Sequence, residues 1–343
     1  MLAFACPVCD RLVAFENTRC LNCHSELGYD PAARTIAAVG GDPADPSAVL
    51  FRCVNAEIAA CNWLSTAPRE QCSSCALTRT RPGDDDADGL AGFVIAEGAK
   101  RRLLFELADL GLPIESYRQK DNGLAFDLLS TATEKVVTGH AEGVITLSLD
   151  ETDPVHREQM RVTMGEPYRT VLGHMRHEVA HYYQPIVTAP GSDDQRCSRE
   201  VFGDERADYQ AAMDAYYEAG PPNGWEQSYV SAYATMHPWE DWAETFAHYL
   251  HIRDTLQTAA AYGLHSDGPS IPTADEATLT SDPEDSPSDV RSMLSAWVPL
   301  TYALNAVSRS MGAPDLYPFV LTPVIEHKLT LIDQLVRKAG ITS

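Results

Sequence analysis

Apolar residues recur at helical spacing from Ala99 to Leu110, and this pattern predicts a helix. Three short apolar runs bounded by polar turns follow, at Leu124–Leu129 (LAFDLL), Lys135–His140 (KVVTGH) and Gly143–Leu149 (GVITLSL), and they predict the strands of a small sheet. The helical period then returns. Glu166-Pro167 is expected to open a helix, with proline at a tolerated first-turn position, and Pro185 to close it after Gln184. Further helices are predicted over Ser198–Ala219, over SAYATMHPWEDWAETFAHYLHIRDTL, from about Val290 to Met311, and from Pro323 to Lys338. Between them, Gly268 to Ser288 is acidic and rich in Pro and Ser, which predicts a loop. No internal repeat is present. The pattern is α+β, a small sheet followed by a mostly helical remainder.

The N-terminal segment is marked by cysteine rather than by periodicity. Eight of the chain's nine cysteines lie in the first 75 residues, and only Cys197 lies outside. Cys6, Cys9, Cys20 and Cys23 form C-x2-C-x10-C-x2-C, a spacing that lets each pair sit on a tight turn and offer two thiolates to one tetrahedral zinc. A second set comprises Cys53, Cys61, Cys72 and Cys75, of which only Cys72-Ser-Ser-Cys75 has the tight spacing. The stretch from Arg52 to Pro82 is too short and polar to bury a core unaided, so a second zinc held by these four is physically sensible. His24 follows Cys23 directly but is a bystander where four thiolates are available. Zinc bound by four thiolates has no open position, so both sites are expected to be structural, serving as scaffold or as contact with a protein partner. The acidic, Gly- and Pro-punctuated RPGDDDADG then reads as a linker. The organisation predicted is a double four-cysteine zinc ribbon over residues 1–83, an acidic linker over 84–92, and a second domain over 93–343.

Charge and composition narrow the partners. With 343 residues and 44% hydrophobic content the chain can bury a sizeable core, while its net charge of -23 repels polyanions. Nucleic acid and anionic membrane surfaces are therefore poor partners, the only basic hints being Arg69, Arg79, Arg81 and the run Lys100-Arg101-Arg102. The opening MLAFACPVCDRLVAF lacks the layout of a secretory leader, and no run approaches a membrane span, so a cytoplasmic protein with reduced thiolates is expected.

The chemistry centres on GHMRHEVAHYYQ, where His177-Glu178-Val179-Ala180-His181 matches H-E-x-x-H. Residues four apart share a helix face, so His177 and His181 can turn ring nitrogens to one cation while Glu178 lies beside them. Val171, Leu172, Met175, Val179 and Tyr183 supply an apolar surface on the opposite side, expected to pack on the sheet. Catalytic zinc takes three protein ligands and keeps one position open. Gln184 and Val187 exclude the extended pattern that would place a third histidine nearby. The third ligand is expected from PWEDWAETFAHYLH, where Glu240, Glu244 and His248 recur on one helical stripe. Glu244 is favoured because small Ala243 and Ala247 allow two helices to approach closely, which leaves Glu240 and His248 to orient the imidazoles. His174, Glu205 and His237 are further candidates around the site. His174 is read as a cleft residue, because a fourth protein ligand would close the water position. Glu205 is otherwise a helix-start acid, and His237 either donates to a developing oxyanion or only starts a helix.

Several stretches together give the chain a likeness. CPVC with ENTRCLNC, CNWL with CSSCALTRTRP, YRTVLGHMRHEVAHYY, FGDERADY, VSAYATMHPWEDWAETFAHYLH and PDLYPFVLTPVIEHK resemble bacterial proteins that join an N-terminal zinc ribbon to a zinc-binding metallopeptidase domain. The resemblance covers nearly the whole chain, with Gln184 a local departure. It implies a zincin-like, gluzincin-like domain in which His177, His181 and a distal glutamate bind zinc and Glu178 is the base. The function expected is that of a zinc-dependent hydrolase of peptide bonds. The metal would lower the pKa of its bound water, and Glu178 would take that water's proton and pass it to the leaving amine. The strand at Gly143 to Leu149 is expected to hold an extended peptide or protein substrate by edge pairing. About three zinc ions per chain follow, one catalytic and two structural. The competing reading is a non-catalytic, zinc-stabilised protein-binding module whose HEVAH site is structural or vestigial; a purely structural site has no need of Glu178.

Overall fold

The computed structural model describes residues 2–40, 49–132, 135–266 and 290–341. The chain divides into two compact units, one of residues 1–106 and 114–157 and the other of residues 107–113 and 158–343.

The first unit begins with three short antiparallel hairpins, β1 (Phe4–Ala5) with β2 (Leu12–Val13), β3 (Leu27–Asp30) with β4 (Thr35–Ala38), and β5 (Phe51–Arg52) with β6 (Leu64–Ser65); Cys6 and Cys9 lie in the first, Cys53 and Cys61 in the third, and Cys20, Cys23, Cys72 and Cys75 in the connections that follow β2 and β6. β3 meets β6 closely, since Tyr29 N donates to Asn62 O at 2.7 Å. Gly28 is required there, because a Cβ would stand 2.4 Å from Leu64 Cδ2 and 2.8 Å from Asn62 O. After β7 (Thr78–Thr80) comes α1 (Ala87–Asp109), which starts twelve residues before the expected Ala99. Asp86 caps it, its Oδ1 accepting from Gly89 N at 2.8 Å, and its buried face, begun by Phe93 and Ala96, continues through the polar Glu97 and Lys100, which an apolar period does not count. The hairpins and α1 share a core in which Phe105 meets Phe15 at 5.4 Å and Tyr29 at 5.6 Å between ring centroids, with Trp63 5.1 Å from Tyr29. Such pairs add roughly 0.5–1.5 kcal/mol each beyond the area they bury.

The unit is completed by β8 (Ala125–Leu129), β9 (Gly139–Ala141) and β10 (Val144–Ser148) in a sheet of order β7-β8-β10-β9. β10 runs parallel to β8 and antiparallel to β9. Val144–Thr146 are thus paired on both sides, so over these residues the edge pairing expected at Gly143–Leu149 does not hold. A local apolar run cannot reveal which strand is outermost. Four of the basic residues are held within the unit, Arg79 on Asp127, Arg81 on Asp84, Arg102 on Glu16, and Arg101 on the carbonyls of Ala59 and Ala60, while Arg69 is exposed. Lys100 is fully buried, 2.6 Å from Glu97 Oε1.

α2 (Pro154–Met164) leads into the second unit, which holds α3 (Val171–Val187), α4 (Asp193–Phe202), α5 (Tyr209–Ala219), α6 (Pro238–Ala261), α7 (Val290–Ser310) and α8 (Pro323–Ile341). α3 starts at Val171 rather than at Glu166-Pro167, because the Thr170 hydroxyl caps it by accepting from Gly173 N at 3.0 Å. Pro185 lies inside α3: its fixed φ suits a helix, and the turn closes only at Thr188, whose N–H reaches Gln184 O at 2.9 Å. The single helix expected over Ser198–Ala219 is two, parted at Gly203, whose φ of 97° is open mainly to glycine. His237, in an extended conformation, separates a short turn at Tyr233–Thr235 from α6. The loop expected over Gly268–Ser288 lies outside the described residues.

The unit's core is α3 laid along α6, with α8 against both. Met175, Val179 and Tyr183 of α3 are fully buried, and the two helices meet where Tyr183 stacks on Phe246 at 6.2 Å and Trp242 Nε1 donates to Ala180 O at 3.4 Å. Among the described residues no helix is long and apolar enough to cross a membrane. The architecture is α+β, cysteine-bearing hairpins followed by a mostly helical domain with a small sheet.

Candidate metal centre

Among the described residues, three groups of side chains bring ligand atoms within 4.8 Å of one another: Cys6, Cys9, Cys20 and Cys23; Cys53, Cys61, Cys72 and Cys75; and His177, His181 and Glu240. In the first, Cys6 Sγ lies 3.6 Å from Cys23 Sγ, and Cys9 Sγ 3.6 Å from Cys20 Sγ. In the second, Cys61 and Cys72 stand 3.6 Å apart. A disulfide requires about 2.05 Å, whereas sulfurs at about 2.3 Å from a tetrahedral zinc stand about 3.8 Å apart, so both sets fit the metal. Backbone N–H groups aim at the sulfurs of the second set, Cys72 N to Cys53 Sγ at 3.3 Å and Asn55 N to the same atom at 3.4 Å, as thiolates require. His24 is exposed at a left-handed position (φ 63°) and lies outside the first set.

The third group is built by α3 and α6. The H-E-x-x-H turn places His177 and His181 on one face, with their Nε2 atoms 3.2 Å apart. His177 Nδ1 stands 2.7 Å from Glu244 Oε1, and donation to that carboxylate leaves the lone pair on Nε2. Glu240 Oε2 lies 2.9 Å from His177 Nε2 and 3.5 Å from His181 Nε2, yet makes no regular hydrogen bond. Lone pairs and a carboxylate oxygen converging in a buried place repel one another unless a cation stands between them, and this donor set suits zinc. Electrostatics point the same way. Burial alone would lower the basicity of His177, but Glu240 and Glu244 carry it well above its ordinary value. Burial likewise opposes ionisation of Glu244, whose bond to His177 nevertheless holds it down at about 2.

Of the acids on the α6 stripe, then, it is Glu240 that meets both Nε2 atoms, and Glu244 that meets the far side of one imidazole. Ala243 does permit the close approach expected of it, since it is fully buried, but closeness does not tell which turn points at the ring tips. Glu178 is buried beside the group, and among the described residues no hydrogen bond engages it. Burial pushes its carboxyl up to about 7, with the charges of Glu240 and Glu244 adding and His177 opposing.

The remaining expected residues stand further off. His248 Nδ1 is 2.7 Å from the Tyr317 hydroxyl, and burial drives its imidazole down to about 4. Glu205 is engaged by Arg199, Nε to Oε2 at 2.9 Å. Both nitrogens of His237 are taken: Nδ1 accepts from Trp239 N and Nε2 donates to Ala207 O, each at 3.1 Å, so it braces the start of α6 rather than facing an oxyanion. His174 is half-buried one turn before His177. Three aromatic residues were not foreseen. Trp239 stacks on His181 with ring centroids 5.0 Å apart and planes within 5°, Tyr233 lies 6.0 Å from His177, and the Tyr209 hydroxyl donates to Glu240 Oε1 at 2.8 Å. Tyr209 closes FGDERADY and the other two lie in VSAYATMHPWED, but no spacing rule ties them to H-E-x-x-H.

Zinc ribbons followed by an H-E-x-x-H helix define a class, and the chain belongs to it: residues 90–335 match the family described as "Putative zinc-binding metallo-peptidase", and residues 3–86 match a zinc-ribbon domain. The chain is also 51% identical, over 341 residues, to uncharacterized proteins of Mycobacterium bovis and Mycobacterium tuberculosis, covering 98% of this chain and 95% of theirs. No solved structure matches it.

Proposed function

We propose that the chain is a zinc-dependent peptidase whose metal is held by His177, His181 and Glu240, with Glu178 as general base. The observation that carries this is the convergence of two imidazole Nε2 atoms and Glu240 Oε2, at 3.2, 2.9 and 3.5 Å, next to a buried acid, Glu178, whose carboxylate makes no hydrogen bond among the described residues. Zinc bound there would supply a Lewis acid that polarises a peptide carbonyl and acidifies water. Glu178 takes the proton of the attacking water and returns it to the leaving amine, a task suited to a carboxylate whose burial raises its proton affinity. Glu244 holds His177 in the tautomer that leaves Nε2 free, and Trp239 fixes the plane of the His181 ring. Glu244 thus takes the orienting role first expected of Glu240, and Glu240 the ligand role first expected of Glu244.

The two four-cysteine sites act as scaffold, since four thiolates leave no open position. The matches over residues 3–86 and 90–335 support a ribbon module over 1–83 and a gluzincin-like domain over 93–343, while the acidic linker expected over 84–92 is cut short by α1, which begins at Ala87. Eight thiolates gathered in metal sites suit a reducing compartment, which supports a cytoplasmic location. Metal analysis of purified protein is expected to give about three zinc ions per chain. Cleavage of a peptide library should stop when a chelator removes the most labile ion and return when zinc is restored. Two ions per chain, or cleavage indifferent to the chelator, would overturn the proposal.

A further inference from the structure

We infer that Tyr209 is a positioning residue of the third metal site, holding Glu240 so that only one carboxylate oxygen reaches the metal. This rests on the reading of Glu240 as a ligand. The two oxygens of that carboxylate face different partners: Oε1 accepts the Tyr209 hydroxyl at 2.8 Å, while Oε2 stands 2.9 and 3.5 Å from the two imidazole nitrogens. An oxygen engaged by a phenol is a poorer metal donor, and the bond fixes the rotation of the carboxylate. Glu240 therefore binds through Oε2 alone, and the position that a second oxygen would fill stays open for water or substrate.

Tyr209 is itself held in place for this. It is the first residue of α5, and the residue before it, Asp208, caps that helix by accepting from Ala211 N at 3.0 Å. One residue further back, Ala207 O accepts from His237 Nε2 at 3.1 Å, and the His237 ring packs 5.2 Å from that of Tyr209. His237 caps α6 one turn ahead of Glu240, so the phenol and the carboxylate it grips are braced from the same turn. α5 has no buried residue, and a helix of 11 residues is marginal by itself. These polar contacts, rather than buried area, set where Tyr209 lies.

The test uses the full chain and zinc alone, titrated against a chromophoric chelator. Tyr209→Phe removes one oxygen and keeps the ring. It should weaken the third zinc by about 10–100-fold and leave the two ribbon ions as tight as before. In a zinc-loaded crystal structure of that variant, Glu240 should turn to offer both oxygens. Tyr217→Phe, on the same helix at a position 62% exposed, should behave as wild type. Wild-type affinity at the third site in Tyr209→Phe, or an equal loss in Tyr217→Phe, would overturn this inference alone. Only two zinc ions in the wild-type chain would overturn both it and the proposed function.

Discussion

Replacing Glu244 with alanine should weaken the third zinc without abolishing its site. In the structure Glu244 Oε1 is the acceptor for His177 Nδ1 at 2.7 Å, and both side chains are largely enclosed. Without that carboxylate, a buried N–H loses its partner, which costs about 1–3 kcal/mol. Since each 1.4 kcal/mol is a factor of ten, zinc affinity should fall roughly 5- to 150-fold, in line with the 10–100-fold typical of groups that orient a metal-bound imidazole. Glu244→Gln keeps a carbonyl oxygen for the same N–H and should recover most of the loss. Glu240→Ala removes a donor atom itself, so the third ion should be missing from the isolated protein. The assay is competition against a chelator of known affinity, with total zinc counted in parallel so that the ribbon ions serve as an internal reference. The reasoning would be refuted if Glu244→Ala lost the ion while Glu240→Ala kept it.

Other consequences can be checked separately. His248 is a base whose folded pKa, about 4, lies below its ordinary 6.5 because it is buried, so the unfolded chain takes up a proton over that interval that the folded chain refuses. Its stabilising contribution is therefore complete above pH 6.5 and falls away towards pH 4, by up to roughly 3 kcal/mol; denaturant melts of His248→Gln should show a shallower acid limb than wild type, and parallel limbs would contradict this. Gly28→Ala forces a methyl into Leu64 and the carbonyl of Asn62, and should cost about 1–3 kcal/mol in chemical denaturation. Cys61→Ser should lower the zinc count by one and speed amide exchange over β5 to β7, since the peptide carbonyls of Ala59 and Ala60 that Arg101 grips lie beside that ligand.

What could be read from the residues depended on how local the signal was. C-x2-C spacing and H-E-x-x-H are contained within a turn or two, so the eight thiolates and the two imidazoles could be grouped before any fold was known. Helix boundaries were set by single capping contacts that periodicity does not register: Thr170 moved the start of α3, Asp86 that of α1, and Gly203 parted α4 from α5. The choice between Glu240 and Glu244 depended on how α3 crosses α6, because both acids lie on the same stripe of α6. Tyr209 lies 31 residues from the carboxylate it holds, on another helix, which no spacing rule connects. The order of strands, and with it the enclosed position of β10, is likewise a property of pairing rather than of any one run.

The central claim is that Glu178 works as a base beside a metal held by His177, His181 and Glu240, and the most direct measurement compares wild type with Glu178→Gln on one peptide library while counting zinc in both. The account predicts an unchanged complement of zinc and a loss of cleavage of about 10²–10⁴-fold in the variant. Undiminished cleavage by Glu178→Gln with its zinc in place would contradict it.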